Sequence, residues 1–268
     1  MKSPLVSIVI PTYNRPDHLE IALESALRQT YENIEIIVVD DGSELSLEVF
    51  EEKYPSVRFL KNSTNRGACY SRNRGLEIAK GDYINFLDDD DELFPEKIEL
   101  QIDKFQKSEE TNLGMVTCHL VDCRSGKEKA VRNEVQGNIY KKMLSGFAVA
   151  GTEAMLFKKS VFDDIEGFDE RLESSQEYDL FIRVSEKFRI DYVDKVLTRK
   201  NRSADQISLN FDKKIQGARM LFSKHNGLYR QQGVLFWLKM RIKLRLLLLR
   251  FYSGKLFGEK AYRVLLFE

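Results

Sequence analysis

The stretch Tyr83-Ile-Asn-Phe-Leu-Asp-Asp-Asp-Asp-Glu92 decides how this chain is read. An apolar run rich in β-formers, Tyr83 to Leu87, follows Gly81 and stops at four consecutive carboxylates, Asp88 to Asp91. A short buried strand fits this pattern better than a helix. In an open α/β sheet, ligands bind outside the carboxyl ends of strands, which is where these acids fall. Adjacent anions repel one another unless water or a cation relieves them. Side chains two apart on an extended backbone share a face. Asp88 and Asp90 can therefore hold one hard divalent ion through oxygen ligands. The other reading of such a run is a solvated acidic turn. An EF-hand loop is excluded, because its sixth position requires Gly and Leu93 stands there.

Outward from this stretch the chain alternates strand and helix. Leu5–Ile10 reads as a buried first strand ended by Pro11. Thr12 to Arg15 is a loop. Pro16–Asp17 opens a helix with Leu19, Ala22, Leu23, Ala26 and Leu27 on one face. Ile34–Val39 is a second buried strand, closed by Asp40-Asp41-Gly42-Ser43. A helix (Ser46–Lys53), a strand (Val57–Leu60) and a helix (Ala68–Ala79) lead back to Tyr83. This order predicts a mostly parallel sheet flanked by helices. No GxGxxG and no GxxxxGK[ST] is present, so neither a dinucleotide fingerprint nor a P-loop is expected.

Beyond Leu93 the reading predicts a helix at Glu96–Lys107 and strands at Met115–Leu120, Val149–Phe157 and Ile190–Val193. Short helices are expected at Lys159–Ile165 and after Ser174-Ser175-Gln176-Glu177, where serine and early acids signal a helix start. Asp122–Gly137 reads as a loop or hairpin and Thr198–Ser208 as a polar loop. Residues from Asp212 to Leu266 read as helical.

Composition bounds the class. The chain has 268 residues, 43% apolar and 31% charged, as in a soluble globular protein with a real core. Lys+Arg and Asp+Glu balance at 42 each, so bulk charge names no partner and nucleic acid is not expected. Cys69, Cys118 and Cys123 have no CxxC spacing and suit a reducing compartment. His18, His119 and His225 match no ligand spacing. The N-terminus leads straight into a strand, which predicts no signal peptide. No long uncharged apolar stretch predicts a membrane span. The charge is unevenly spread, however. Val234–Phe251 alternates apolar residues with Lys239, Arg241, Lys243, Arg245 and Arg250. Such a helix can lie in an anionic membrane surface, or pack on a domain with a solvated basic face.

These segments resemble the inverting family-two glycosyltransferases of the GT-A fold. The resemblance rests on Val6-Ser-Ile-Val-Ile-Pro-Thr-Tyr-Asn-Arg15, Ile36-Ile-Val-Val-Asp-Asp-Gly-Ser43, Asn73 and Gly75 with Gly81-Asp-Tyr-Ile84, and Phe86-Leu-Asp-Asp-Asp-Asp91. They fall in family order within roughly the first hundred residues. Gly167-Phe-Asp-Glu170 and Gln176-Glu-Tyr-Asp-Leu180 are similar to the family's acceptor-side motif. The resemblance implies a Rossmann-like domain over residues 1–210, with a nucleotide-sugar half (1–107) and an acceptor half (108–210), and the residue pattern adds a basic amphipathic helical extension (211–268). It implies that Pro11, Tyr13 and Arg15 line the nucleotide pocket. Asp41 would accept from the base, with Asp40 supporting it. Arg72 would approach the diphosphate or be structural. In the D-x-D position, Asp90 and Asp88 would hold Mn2+ or Mg2+, Asp89 would lie near the ribose or sugar, and Asp91 would shape the loop. Glu177 would be the catalytic base, in place of the family's commoner Asp, with Asp179 as the alternative.

The expected function is metal-dependent transfer of a sugar from a nucleotide sugar, a UDP-sugar by family habit. The acceptor is a saccharide or lipid-linked saccharide in cell-surface polysaccharide synthesis, reached from the cytoplasm at the inner face of the membrane. A nucleotidyltransferase on a related scaffold, or a non-catalytic nucleotide-binding module at a membrane surface, are the competing readings. Pyrophosphate release would mark the former.

Overall fold

The computed structural model describes residues 3–44, 46–124, 126–146, 148–202, 210–258 and 262. The first half builds β1 (Val6–Thr12), α1 (Pro16–Leu27), β2 (Ile34–Asp40), α2 (Glu48–Lys53), β3 (Arg58–Lys61), α3 (Ala68–Ile78) and β4 (Tyr83–Phe86). There follow β5 (Glu92–Leu93), α4 (Lys97–Lys107), β6 (Leu113–Arg124), β7 (Lys127–Val131), α5 (Tyr140–Ser145), β8 (Leu156–Lys158) and α6 (Val161–Asp164). The chain closes with α7 (Gln176–Lys187), β9 (Arg189–Arg202), α8 (Phe211–Gln231) and α9 (Val234–Phe257).

Two compact units divide the chain: Met1–Phe168 with Leu180–Ser203, and Asp169–Asp179 with Ala204–Glu268. In the first, one sheet runs β3-β2-β1-β4-β8-β6-β9-β5, with β7 pairing β6. β3, β2, β1 and β4 are parallel, as expected. Beyond β4 the sheet is mixed, because β8 runs antiparallel to both β4 and β6. Every residue of β1 is buried, as a strand covered on both faces must be. The chain steps from β1 to β2 and β3 on one side, then returns to place β4 on the other side of β1. The carboxyl ends of β1 and β4 therefore flank a topological switch point, the place where such sheets bind ligands.

Two glycines allow the close approaches this needs. A Cβ on Gly75 would lie 2.3 Å from a Val9 methyl, so α3 sits directly on β1. Gly42 has φ +80°, and a Cβ there would meet the Thr64 backbone at 2.8 Å.

Several expectations are corrected. Pro11 lies inside β1 rather than ending it. Pairing with β4 stops at Val9–Phe86, so the missing amide hydrogen of Pro11 leaves no gap on that side. Leu27 is exposed at the end of α1. Of Val149–Phe157 only the last two residues are strand; Gly151 to Met155 makes tight turns. β9 runs on through Thr198–Arg202, where a loop was expected, because those residues continue the parallel ladder to β6. The rest of that expected loop lies outside the described residues.

The second unit contains α8 and α9, joined at Gln232–Gly233. Ile215, Ala218 and Phe251 form its small core, with Phe211, Leu244, Leu248 and Tyr262 packed against it.

Candidate active site

The tips of β1 and β4 bring a set of charged side chains together. Thr12 Oγ1 donates to Asp89 Oδ2 at 2.8 Å. Arg15, just before α1, places Nη1 3.5 Å from both Asp89 Oδ1 and Asp90 Oδ2. The Asp91 amide donates to the Asp88 carbonyl, which turns the acid run on itself. One carboxylate oxygen from each of Asp88, Asp90 and Asp91 then lies within 4.8 Å of the others. An all-oxygen set at that spacing fits a hard divalent cation. Asp91 belongs to this trio, whereas the sequence reading gave it only a loop-shaping role.

Each acid has its own surroundings. Burial opposes the charge of Asp88, but Arg72, Lys200 and Arg15 outweigh it and hold its carboxyl below the usual range. Arg72 Nη2 lies 2.5 Å from Asp88 Oδ1, and its guanidinium stands 5.1 Å from the Phe168 ring. Burial pushes the Asp89 carboxyl up to about 6. Asp91 is fully buried; it accepts from the Asn201 amide at 2.9 Å and from Lys200 Nζ at 3.3 Å. The same ammonium reaches Glu153 Oε2 at 3.3 Å. Burial raises the carboxyls of both Asp91 and Glu153.

At the tip of β2, Asp40 and Asp41 are both buried. Asp40 Oδ1 accepts from the Ser43 amide and hydroxyl, and Oδ2 lies 3.6 Å from Lys61 Nζ. Asp41 accepts from Asn62 Nδ2, Ser71 Oγ and the amides of Arg66 and Gly67. These donors occupy about the four lone-pair sites of a carboxylate. Asp41 thus pins the 62–67 loop. Pro11 is buried and Tyr13 exposed beside them.

In the second unit, Glu177 and Asp179 part company. Asp179 is fully buried and accepts from His225 Nε2 at 2.8 Å and Lys224 Nζ at 2.9 Å. Lys224 also reaches Asp169 Oδ2 at 2.7 Å. Hydrogen bonding from Arg171 chiefly holds the Asp169 carboxyl well below the usual range. Glu177 is half-buried in the first turn of α7, and among the described residues its carboxylate makes no hydrogen bond or ion pair. Of the two acids, Asp179 is the one tied into a network.

Sequence reasoning missed Lys200, Glu153, Asn62, Ser71, Lys224 and His225. They come from distant segments and carry no local motif. A second cluster, His119, Glu134 and Asp194, has metal-compatible spacing. However, His119 Nδ1 accepts from the Asn133 amide at 3.1 Å, so the neutral ring carries its hydrogen on Nε2 and gives it to Asp194 at 2.8 Å. That bonding leaves no ring lone pair for a metal.

A mixed α/β sheet, parallel from β3 to β4 and flanked by helices, is the architecture of the GT-A glycosyltransferases. The sequence profile described as "Glycosyl transferase family 2" matches residues 7–165, and the chain belongs to this family. An uncharacterized glycosyltransferase of Rickettsia typhi is 36% identical over 192 residues, 68% of this chain and 60% of that protein. Chondroitin synthase of Escherichia coli is 32% identical over 197 residues, 72% of this chain but 28% of that protein. The chain thus spans less than two thirds of the length of these relatives. Among solved structures, S. aureus TarS 1–349 in complex with UDP-GlcNAc superimposes with TM-score 0.66 at 18% identity, over 97% of this chain and 83% of that one. Mannosyltransferase PcManGT from Pyrobaculum calidifontis, in complex with GDP-Man and Mn2+, gives TM-score 0.65 at 16% identity, over 98% and 79%. These two likenesses establish the fold.

Proposed function

We propose that the chain is a metal-dependent, inverting glycosyltransferase that uses a nucleotide-sugar donor, a UDP-sugar, and a saccharide or lipid-linked saccharide acceptor in cell-surface polysaccharide synthesis. The observation that carries this reading is the Asp88–Asp90–Asp91 oxygen cluster at the β1/β4 switch point. The UDP-GlcNAc and GDP-Man held by the solved relatives, one of them with Mn2+, support a nucleotide-sugar donor.

Asp90 and Asp88 would hold the ion, with Asp91 fixed behind them by Lys200 and the Asn201 amide. A divalent ion there supplies Lewis-acid charge that offsets the charge gained by the departing diphosphate. Arg15, Pro11 and Tyr13 would line the nucleotide, Asp89 would meet ribose or sugar, and Asp40 with Asp41 would frame the base. The acceptor hydroxyl attacks the anomeric carbon as the bond to the diphosphate oxygen breaks. Glu177 takes the hydroxyl proton, and the nucleoside diphosphate leaves with the electron pair. One displacement inverts the anomeric centre.

The test is transfer by Asp90→Ala and Glu177→Gln variants checked for native circular dichroism. Loss of transfer in each supports the assignment. Retained turnover in both refutes it.

A further inference from the structure

Helix α9 has two apolar faces. Met240, Phe251 and Gly254 are buried, and Leu244 and Leu248 pack against α8 residues Ile215 and Ala218. Opposite them, Leu235, Leu238, Ile242, Leu246, Leu249 and Leu256 are between 43 and 84% exposed. Their spacing follows the helical repeat, so they form one stripe along a helix about 36 Å long. At roughly 100° per residue, Lys239 and Lys243 edge one side of this stripe and Arg241 and Arg245 the other, while Arg250 is held by the Tyr262 carbonyl and ring. No acid occurs between Gly233 and Gly258. A soluble helix with one packed face needs no second apolar face, and a stripe this long marks a binding surface.

We infer that the outer stripe of α9 docks on an anionic lipid bilayer, lying in its interface with cations on both flanks reaching headgroups. Charge complementarity selects this occupant. Two copies packed stripe to stripe would bring cationic edges together, and an anionic surface relieves them. The helix does not cross the bilayer, since no described helix is long and apolar enough. The inference goes beyond the transfer reaction and does not rest on it.

Vesicle flotation tests it, using phosphatidylcholine vesicles with and without phosphatidylglycerol. The protein should float with the anionic vesicles and not with the neutral ones. Lys239→Gln and Arg245→Gln should each weaken binding roughly fivefold. Ile242→Gln with Leu246→Gln, both on exposed positions, should weaken it on the order of tenfold or more without changing the circular dichroism spectrum. Asp90→Ala should float like the wild type, which separates docking from transfer. Absence of anionic-vesicle binding, equal binding to neutral vesicles, or unaltered binding by the stripe variants would overturn the proposal. So would a dimer that the paired Gln substitutions dissociate in the absence of vesicle binding.

Discussion

Arg72 Nη2 lies 2.5 Å from Asp88 Oδ1, and the Arg72 side chain is buried under the acid cluster. A fixed cation thus already neutralises one of the candidate metal ligands. Arg72 meets the site as a partner of Asp88. Replacing it with Met should lower stability by about 3–5 kcal/mol, the range for removing one partner of a buried pair. It should also tighten Mn2+ binding by calorimetry, because it removes a positive charge beside the site. Weaker Mn2+ binding by a folded Arg72→Met variant would instead mean that Arg72 orients Asp88 for the ion.

The first half of the sheet was legible because parallel strands buried on both faces read as apolar runs, and Asp88–Asp91 sit where such a run stops. The site's supports were not legible. Lys200 is 109 residues from Asp91 and meets it only because β9 and β5 pair beside the turn. The polarity of Thr198–Arg202 read as loop, since a strand's ladder partners are invisible to local pattern. Val149–Phe157 misled in the opposite direction. Val149, Ala154, Met155, Leu156 and Phe157 are buried, but Gly151 has φ +81° and turns the chain before Leu156.

Lys200 is shared by two buried carboxylates, Asp91 and Glu153, at 3.3 Å each. Lys200→Met should cost about 3–5 kcal/mol by leaving both without their common cation. Adding Glu153→Gln should return part of that loss, since one of the stranded charges is then gone. Urea unfolding of the two variants checks this. A double variant no more stable than the single one would contradict it.

Glu177 and Asp179 should separate cleanly. Glu177→Gln should abolish transfer while moving stability by no more than about 0.5 kcal/mol, as for a side chain outside any network. Asp179→Asn should lower the thermal midpoint, because His225 and Lys224 lose the charge they share. Thermal unfolding read beside product formation distinguishes the two. A destabilised Glu177→Gln protein would contradict the contrast.

Lys97 is fully buried, its Nζ has no hydrogen-bond partner among the described residues, and burial pushes its ammonium down to about 8. The unfolded chain, with a higher pKa, binds more protons between pH 8 and its own titration. Charged Lys97 therefore destabilises the fold most below pH 8, and the penalty fades as pH rises toward about 10.4. Lys97→Met should be more stable than wild type at pH 7, and the two should converge at high pH. A gap that does not narrow, or a less stable variant at pH 7, would contradict this.

The central claim is that the strand-tip aspartates bind a donor through a divalent ion. Isothermal titration of UDP-sugars into the protein, with Mn2+ and with excess chelator, reads it directly. The account predicts binding that needs Mn2+ and that Asp90→Ala loses while remaining folded. Binding of equal strength with chelator present, or undiminished in Asp90→Ala, would contradict it.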